Sequence, residues 1–171
     1  MVRKKAKKPA AAKRPAAKKA VKRAAPKKQA AAVLKDGRPG RMWWPGLAPY
    51  LTVRDGQASI EFYARAFGFE AYGEVMRGDD GHVQHASMRL GEAAIMFGPE
   101  EGSMGLKTPT GGTPDSLTLY VYVPSVDALH ARAQRGGATL VQPPADQFWR
   151  DRTAVFKDPD GYHWTFATHL G

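Results

Sequence analysis

The side chains of this 171-residue chain that could do chemistry are five histidines, one arginine at the mouth of a strand-like segment, and an alternating row of hydroxyl-bearing and aromatic residues. The histidines are His82, His85, His130, His163 and His169. His82 falls in a turn pattern and His130 in a helical one, which predicts both at the surface. His85 follows Gln84 in a strand-like run, and His163 stands two residues before Thr165 in another. Either can face a cleft, where an imidazole moves a proton or donates a hydrogen bond. The alternative for each is a structural histidine with one fixed partner. Arg152, just after Trp149, carries a planar fork able to grip an anionic or carbonyl-bearing ligand through two hydrogen bonds. Its alternative is a surface pair with Asp151. There is no cysteine, so neither disulfides nor thiolate metal sites can form, and a reducing cytoplasm is the default compartment.

These side chains need strands to align them. Tyr50 and Thr52, with Ala48 before them, alternate with Leu51 and Val53. Thr118, Tyr120 and Tyr122 alternate with Leu117, Leu119, Val121 and Val123. The aliphatic rows belong against a helix, which leaves the other rows on the opposite face. Aromatic rather than ionic residues there suit a flat, partly apolar ligand; the alternative is tyrosines that only fill a sheet interior. Trp164 and Phe166 alternate with His163 and Thr165 and are assigned to the core.

The strands recur. Pro49 to Val53 predicts a strand, Ala58 to Phe67 a helix stopped by Gly68, and Ala71 to Arg77, Val83 to Leu90 and Ala93 to Phe97 three more strands. Leu117 to Val123, Val126 to Gln134, Thr139 to Gln142, Arg152 to Lys157 and His163 to Ala167 repeat that order. The offset is 70 residues, matching Val53 to Val123, Ala58 to Ala128 and Gly91 to Gly161. Gly78 to Gly81, Gly91-Glu92 and Asp158 to Gly161 read as turns. Each half is therefore β-α-β-β-β, module one over 47–99 and module two over 116–169, with a Gly/Pro/Thr-rich linker at 100–115. Two such units side by side enclose a concave surface.

The stretches PYLTVRDGQASIEFYARAFGFE, HASMRLGEAAIMFG and DRTAVFKDPDGYHWTFATH resemble the vicinal oxygen chelate superfamily, which includes glyoxalase I, extradiol dioxygenases and bleomycin-resistance proteins. FYARAFGFE, FWRDR and DPDGYHWTFATH most resemble its PhnB-like, glyoxalase-like branch. The resemblance runs from about Gly46 to His169. It implies an α+β fold of two βαβββ modules forming a concave mixed sheet with helices outside, in a homodimer as in many relatives. It also implies a divalent metal held by the first and last strands of each module. Those positions fall here on Ala48, Met96 (Ile95 if the register slips), Thr118 and Thr165, none a histidine or carboxylate. A catalytic metal needs about three protein ligands, so no metal and no cofactor is expected. The related branch often carries glycine where this chain has Arg150, so the local backbone is expected to differ. The expected ligand face thus comprises Tyr50, Thr52, His85, Met96, Thr118, Tyr120, Tyr122, Trp149, Arg152, His163 and Thr165.

Charge divides the chain. Residues 1–41 hold 16 of the 26 Lys and Arg and one acid, Asp36, about +15; residues 42–171 hold 10 bases against 15 acids, about −5. The first segment, tail plus linker, is rich in Lys, Arg, Ala and Pro with no aromatic, so it cannot offset its own ordering entropy and is expected to be disordered when free. Its composition resembles the Lys/Ala/Pro tails of linker histones and their bacterial counterparts. Lys4, Lys5, Lys7, Lys8, Lys13, Arg14, Lys18, Lys19, Lys22, Arg23, Lys27 and Lys28 can contact the phosphates of DNA, RNA or polyphosphate but cannot read bases. The alternatives are a solubility tail or an upstream start codon. The longest apolar run near the N-terminus, Ala30 to Leu34, is too short to span a membrane, so a cytoplasmic, nucleoid-associated protein is expected. Three functions stay open: a metal-independent small-molecule-binding domain tethered by its tail; a glyoxalase-like lyase, isomerase or dioxygenase with a non-standard site; and a nucleoid-associated protein whose folded part only dimerises.

Overall fold

A computed structural model describes residues 45–100, 106–109 and 117–171. The basic tail and linker at 1–41, with all its phosphate-binding candidates, lies outside the described residues, as does most of the inter-module linker 100–115.

In the first half, strand β1 is Tyr50–Val53. Asp55 then caps helix α1, Gly56–Phe62, its carboxylate accepting from the N–H groups of Gln57 and Ala58. That cap starts the helix two residues ahead of the apolar spacing. Its continuation, Tyr63–Phe67, is a π turn in which the Gly68 N–H reaches back to the Tyr63 carbonyl. The widened turn buries Tyr63, Ala66 and Phe67 together, and Gly68, at φ 85°, ends it. The single strand expected over Ala71 to Arg77 is two short ones, β2 (Glu70–Ala71) and β3 (Met76–Arg77). Gly73, in the left-handed region, interrupts them. Both pair antiparallel with β4, Val83–Leu90, which pairs with β5, Ala93–Pro99. The path is β1-β5-β4-β2, with β1 and β5 parallel.

The second half repeats the plan. Strand β6 (Thr118–Tyr122) leads to helix α2 (Val126–Arg135), capped by Ser125, then to β7 (Thr139–Asp146), β8 (Asp151–Lys157) and β9 (His163–His169). The order β6-β9-β8-β7, with β6 and β9 parallel, is that of the first sheet. Strand β7 runs past the expected end at Gln142 through Pro143 and Pro144. It can, because it is an edge strand whose register shifts there. Leu117 departs from expectation: it precedes β6 and is 72% exposed, so it is not in the core row.

The aliphatic rows of both sheets join one core with α1, its π turn and α2. Tyr63 lies 5.7 Å from Phe97 of the first sheet and 5.4 Å from Trp164 of the second, ring centre to ring centre. Phe67 meets Trp164 and Phe166. Trp164 and Phe166 are fully buried, as their alternation requires. Inside this core Asp158 accepts from the Tyr63 hydroxyl, the Trp164 indole and the backbone N–H groups of Asp160 and Tyr162. The Tyr162 hydroxyl also accepts from the Thr52 N–H and donates to the Thr52 carbonyl, which closes the open edge of β1. The hairpin Asp158–Gly161 is thus a turn, as expected, and also a clasp between the halves. Among the described residues no helix is long and apolar enough to cross a membrane.

Candidate functional site

With the helices on one face, register decides what the other face of each sheet carries. In the first sheet Tyr50 pairs with Met96, Met96 with Ser87, and His85 lies two residues before Ser87 on the same row. Tyr50 stacks on His85 at 5.8 Å, and His85 Nε2 lies 3.2 Å from the Ser87 hydroxyl. Partial burial moves the His85 imidazole down from its ordinary value. The Tyr50 hydroxyl sits over Gly98, where a Cβ would fall 2.6 Å from it. Thr52 shares the row but is 1% exposed, so it is not open to a ligand. Its Oγ1 has no partner among the described residues.

In the second sheet Thr118, Tyr120 and Tyr122 face the same way as His163 and Thr165. The hydroxyls of Thr118 and Thr165 hydrogen-bond at 2.9 Å. The hydroxyls of Tyr120 and Tyr122 both donate to Asp151 Oδ2, each at 2.8 Å, and His169 Nδ1 meets Oδ1 at 2.9 Å. The Trp149 indole N–H reaches the Tyr120 hydroxyl at 3.3 Å. Asp151 is only 2% exposed, whereas Tyr120 and Tyr122 are 41% and 61% exposed and Trp149 46%. A buried carboxylate therefore organises an open aromatic surface. The donation from His169, then that from Tyr120, holds the Asp151 carboxyl below the usual carboxylate range. Burial, and secondarily Asp151, pushes the Tyr120 phenol up to about 12; the hydrogen bond to Asp151 raises that of Tyr122.

The hairpin between β7 and β8 carries Trp149 into place. Gln147 N–H bonds the Asp151 carbonyl, and its side chain bonds the Thr153 hydroxyl. Arg150 takes φ 71°, a left-handed conformation that a non-glycine residue adopts at a cost. This goes against the expected departure from a glycine backbone: Arg150 takes the left-handed φ that glycine favours. Phe148, beside Trp149 and edge-on to it at 4.8 Å, is 94% exposed.

Arg152 does not belong to this surface. It pairs with Asp127 on α2 and Asp146 on β7 rather than with Asp151, on the helix side of the sheet. As one residue out of phase with Asp151, it must point away. His130 is half-buried against Phe156 rather than exposed, and His82 lies in its turn. Sequence reasoning had the tyrosines but not Asp151 and His169 as their partners. The signal was the period of two: Asp151 and His169 stand opposite each other in the β8–β9 register, on the tyrosine face.

The donor set at the positions where the resemblance puts a metal does not suit one. Met96 offers a thioether and Ala48 a methyl, while Thr118 and Thr165 offer neutral hydroxyls already bonded to each other. Among the described residues no three His, Asp or Glu side chains stand together as a metal-binding group. A separate cleft of about 470 Å³ lies where β1 meets α1, lined by Arg54, Asp55, His82 and Glu100 among others. Its charges serve the frame: Arg54 pairs with Asp160, Asp55 caps α1, and Glu100 accepts from Thr108 and Lys107.

Known proteins share this architecture. The family model for the Glyoxalase/Bleomycin resistance protein/Dioxygenase superfamily matches residues 39–166. An uncharacterized protein of Mycobacterium bovis is 41% identical over 128 residues, covering 72% of this chain and 82% of that one. An uncharacterized protein of Mycobacterium tuberculosis is likewise 41% identical over 128 residues, covering 72% and 74%. Among solved structures, TioX from Micromonospora sp. ML1 superposes with a TM-score of 0.60 at 25% identity, covering 74% of this chain and all (100%) of that one. A glyoxalase/bleomycin resistance protein/dioxygenase family enzyme from Burkholderia phytofirmans PsJN gives 0.58 at 25% identity, covering 71% and 95%.

Proposed function

The chain belongs to the Glyoxalase/Bleomycin resistance protein/Dioxygenase superfamily, and from that premise we propose that its folded part binds a small molecule without a divalent metal. The observation that carries this reading is the open aromatic surface of the second sheet, Tyr120, Tyr122 and Trp149 set around buried Asp151. Solvent-exposed rings with fixed hydroxyls and indole N–H suit an amphipathic ligand. A thermal-shift screen of the full chain against a small-molecule fragment library tests it. Hits whose shift disappears in Tyr122→Leu and Trp149→Leu support the reading; a library that moves nothing rejects it.

A second reading rests on one contact. Asp151 fixes His169 through Nδ1, which leaves Nε2 of a half-exposed imidazole turned outward as an acid or base. Metal-free proton transfer on a carbonyl compound, lyase or isomerase chemistry, would use that group. Turnover that collapses in His169→Gln while ligand binding persists would favour it.

The tail is proposed to tether the domain to DNA, RNA or polyphosphate, and two copies to associate. The family match begins at residue 39, so nearly all of the basic segment is additional to the fold. That separation of charge from fold supports a tether and a binding domain with distinct tasks.

A further inference from the structure

We propose that the surface around Asp151 is selective for an organic cation, a protonated or quaternary amine on an apolar body. This inference rests on the small-molecule reading and adds the chemistry of the ligand.

Charge is the first argument. Asp151 receives hydrogen bonds from two phenols and an imidazole, and the phenols stabilise the carboxylate without cancelling its charge. It is nearly inaccessible, so a ligand cannot reach its oxygens; what a ligand meets is the field of the charge through the rings. Arg152, next in the chain, is turned to the helix side and neutralised by Asp127 and Asp146.

The rings supply the second argument. A phenol that donates its proton to a carboxylate carries more electron density on its face, which strengthens attraction for a cation placed there. Tyr120 and Tyr122 lie 5.5 Å apart at 59°, and Phe148 and Trp149 meet at 89°. Parallel rings would form a slot for a flat molecule. Rings at these angles form corners, which present several faces to a compact, rounded group such as trimethylammonium.

The third argument is the strained hairpin. Arg150 keeps a left-handed backbone, and the turn it shapes sets the Trp149 N–H on the Tyr120 hydroxyl. Strain retained here has little packing reward, since Phe148 is 94% exposed and Trp149 nearly half exposed at 46%.

The test compares choline with 3,3-dimethylbutan-1-ol, its neutral isostere, by calorimetry on the full chain at matched ionic strength. Choline should bind about tenfold more tightly than the isostere. Tyr122→Leu should lose most of that preference, and Tyr122→Phe, which keeps the ring but not the hydrogen bond to Asp151, only part of it, with circular dichroism checking that both variants fold. Equal binding of the two probes overturns the inference but leaves the small-molecule reading standing. So does choline affinity unchanged in both Tyr122→Leu and Trp149→Leu, because the cation would then sit elsewhere. Neutral aromatic fragments that bind while choline does not also overturn it. If sedimentation shows a dimer in which Trp149 fluorescence is shielded, the surface is a protein interface, and both readings fall.

Discussion

Two buried aspartates in the second half have carboxyls shifted in opposite directions, and the difference lies in whether burial or the donors prevail. Asp151 sits at the sheet surface under His169, Tyr120 and Tyr122, and its carboxyl lies below the usual range. Asp158 lies in the core; burial raises its carboxyl, although the Trp164 indole and the Tyr63 hydroxyl pull the other way. A carboxyl carbon titration should therefore place the Asp151 midpoint below the unfolded value of ~3.9 and that of Asp158 above it; the reverse order would overturn this account. The signs for stability follow. What Asp151 contributes is present above the unfolded value and is lost as pH falls through its folded one. What Asp158 contributes is complete below the unfolded value and fades as pH rises through its folded one. Asp158 nonetheless satisfies four donors. Asp158→Ala should cost about 3 kcal/mol in urea unfolding, and Asp158→Asn should rescue little, because its amide would face donors. Tyr120 reports on Asp151 directly. Difference titration against Tyr120→Phe should find the phenol near about 12 in the native chain. In Asp151→Asn it should move down toward, without reaching, the ordinary value of ~10, because burial remains the larger cause.

At the scale of elements, strands and helices followed from period and caps, while breaks and overruns did not. The alternation in Val83 to Leu90 specified β4 to the residue. The pattern over Ala71 to Arg77 could not reveal its interruption, because Gly73 breaks a strand only when its φ turns positive. The π turn was equally hidden. Ile60, Phe62, Tyr63 and Phe67 satisfy an α spacing, and only tertiary demand on Tyr63 and Phe67 from Trp164 decides the wider turn. Arg150 was readable as an oddity but not as a conformation. Its left-handed backbone makes a prediction: Arg150→Gly relieves strain and should stabilise the chain by about 0.5–1 kcal/mol, while Arg150→Val should destabilise it by more than ~1 kcal/mol. Urea midpoints decide between these directions. If the strain serves the site, Arg150→Gly should also weaken ligand binding at Trp149, so stability and affinity would move oppositely. Stability and affinity rising together would mean that the hairpin's geometry is incidental.

For the whole molecule, the fold was legible because the chain says it twice. The 70-residue offset sets five strand and helix segments of one half against five of the other, and both sheets adopt one strand order. The site was legible only by face. Alternation put Tyr120, Tyr122 and Thr165 together, whereas the partnership with Asp151 and His169 depends on the β8–β9 register, which composition does not encode. The tail poses the opposite case, a composition from which a partner class is proposed and no geometry to derive. Its 16 basic residues exceed what a single site could use at once. If it closes ~8 phosphate contacts on duplex DNA, the log–log salt dependence of binding should have a slope of about −7 and be indifferent to base sequence. Filter binding between low and moderate salt, on the full chain and on a variant lacking residues 1–41, measures both properties. Loss of DNA retention in the variant, with the fragment-library thermal shifts preserved, would assign tethering to the tail and recognition to the sheet. Retention that survives deletion would move the nucleic-acid contact onto a domain whose net charge is about −5, which bulk electrostatics cannot supply. A shallow slope with full-length chain would reject phosphate binding as the tail's task, since each phosphate contact releases counterions and must steepen the dependence on salt.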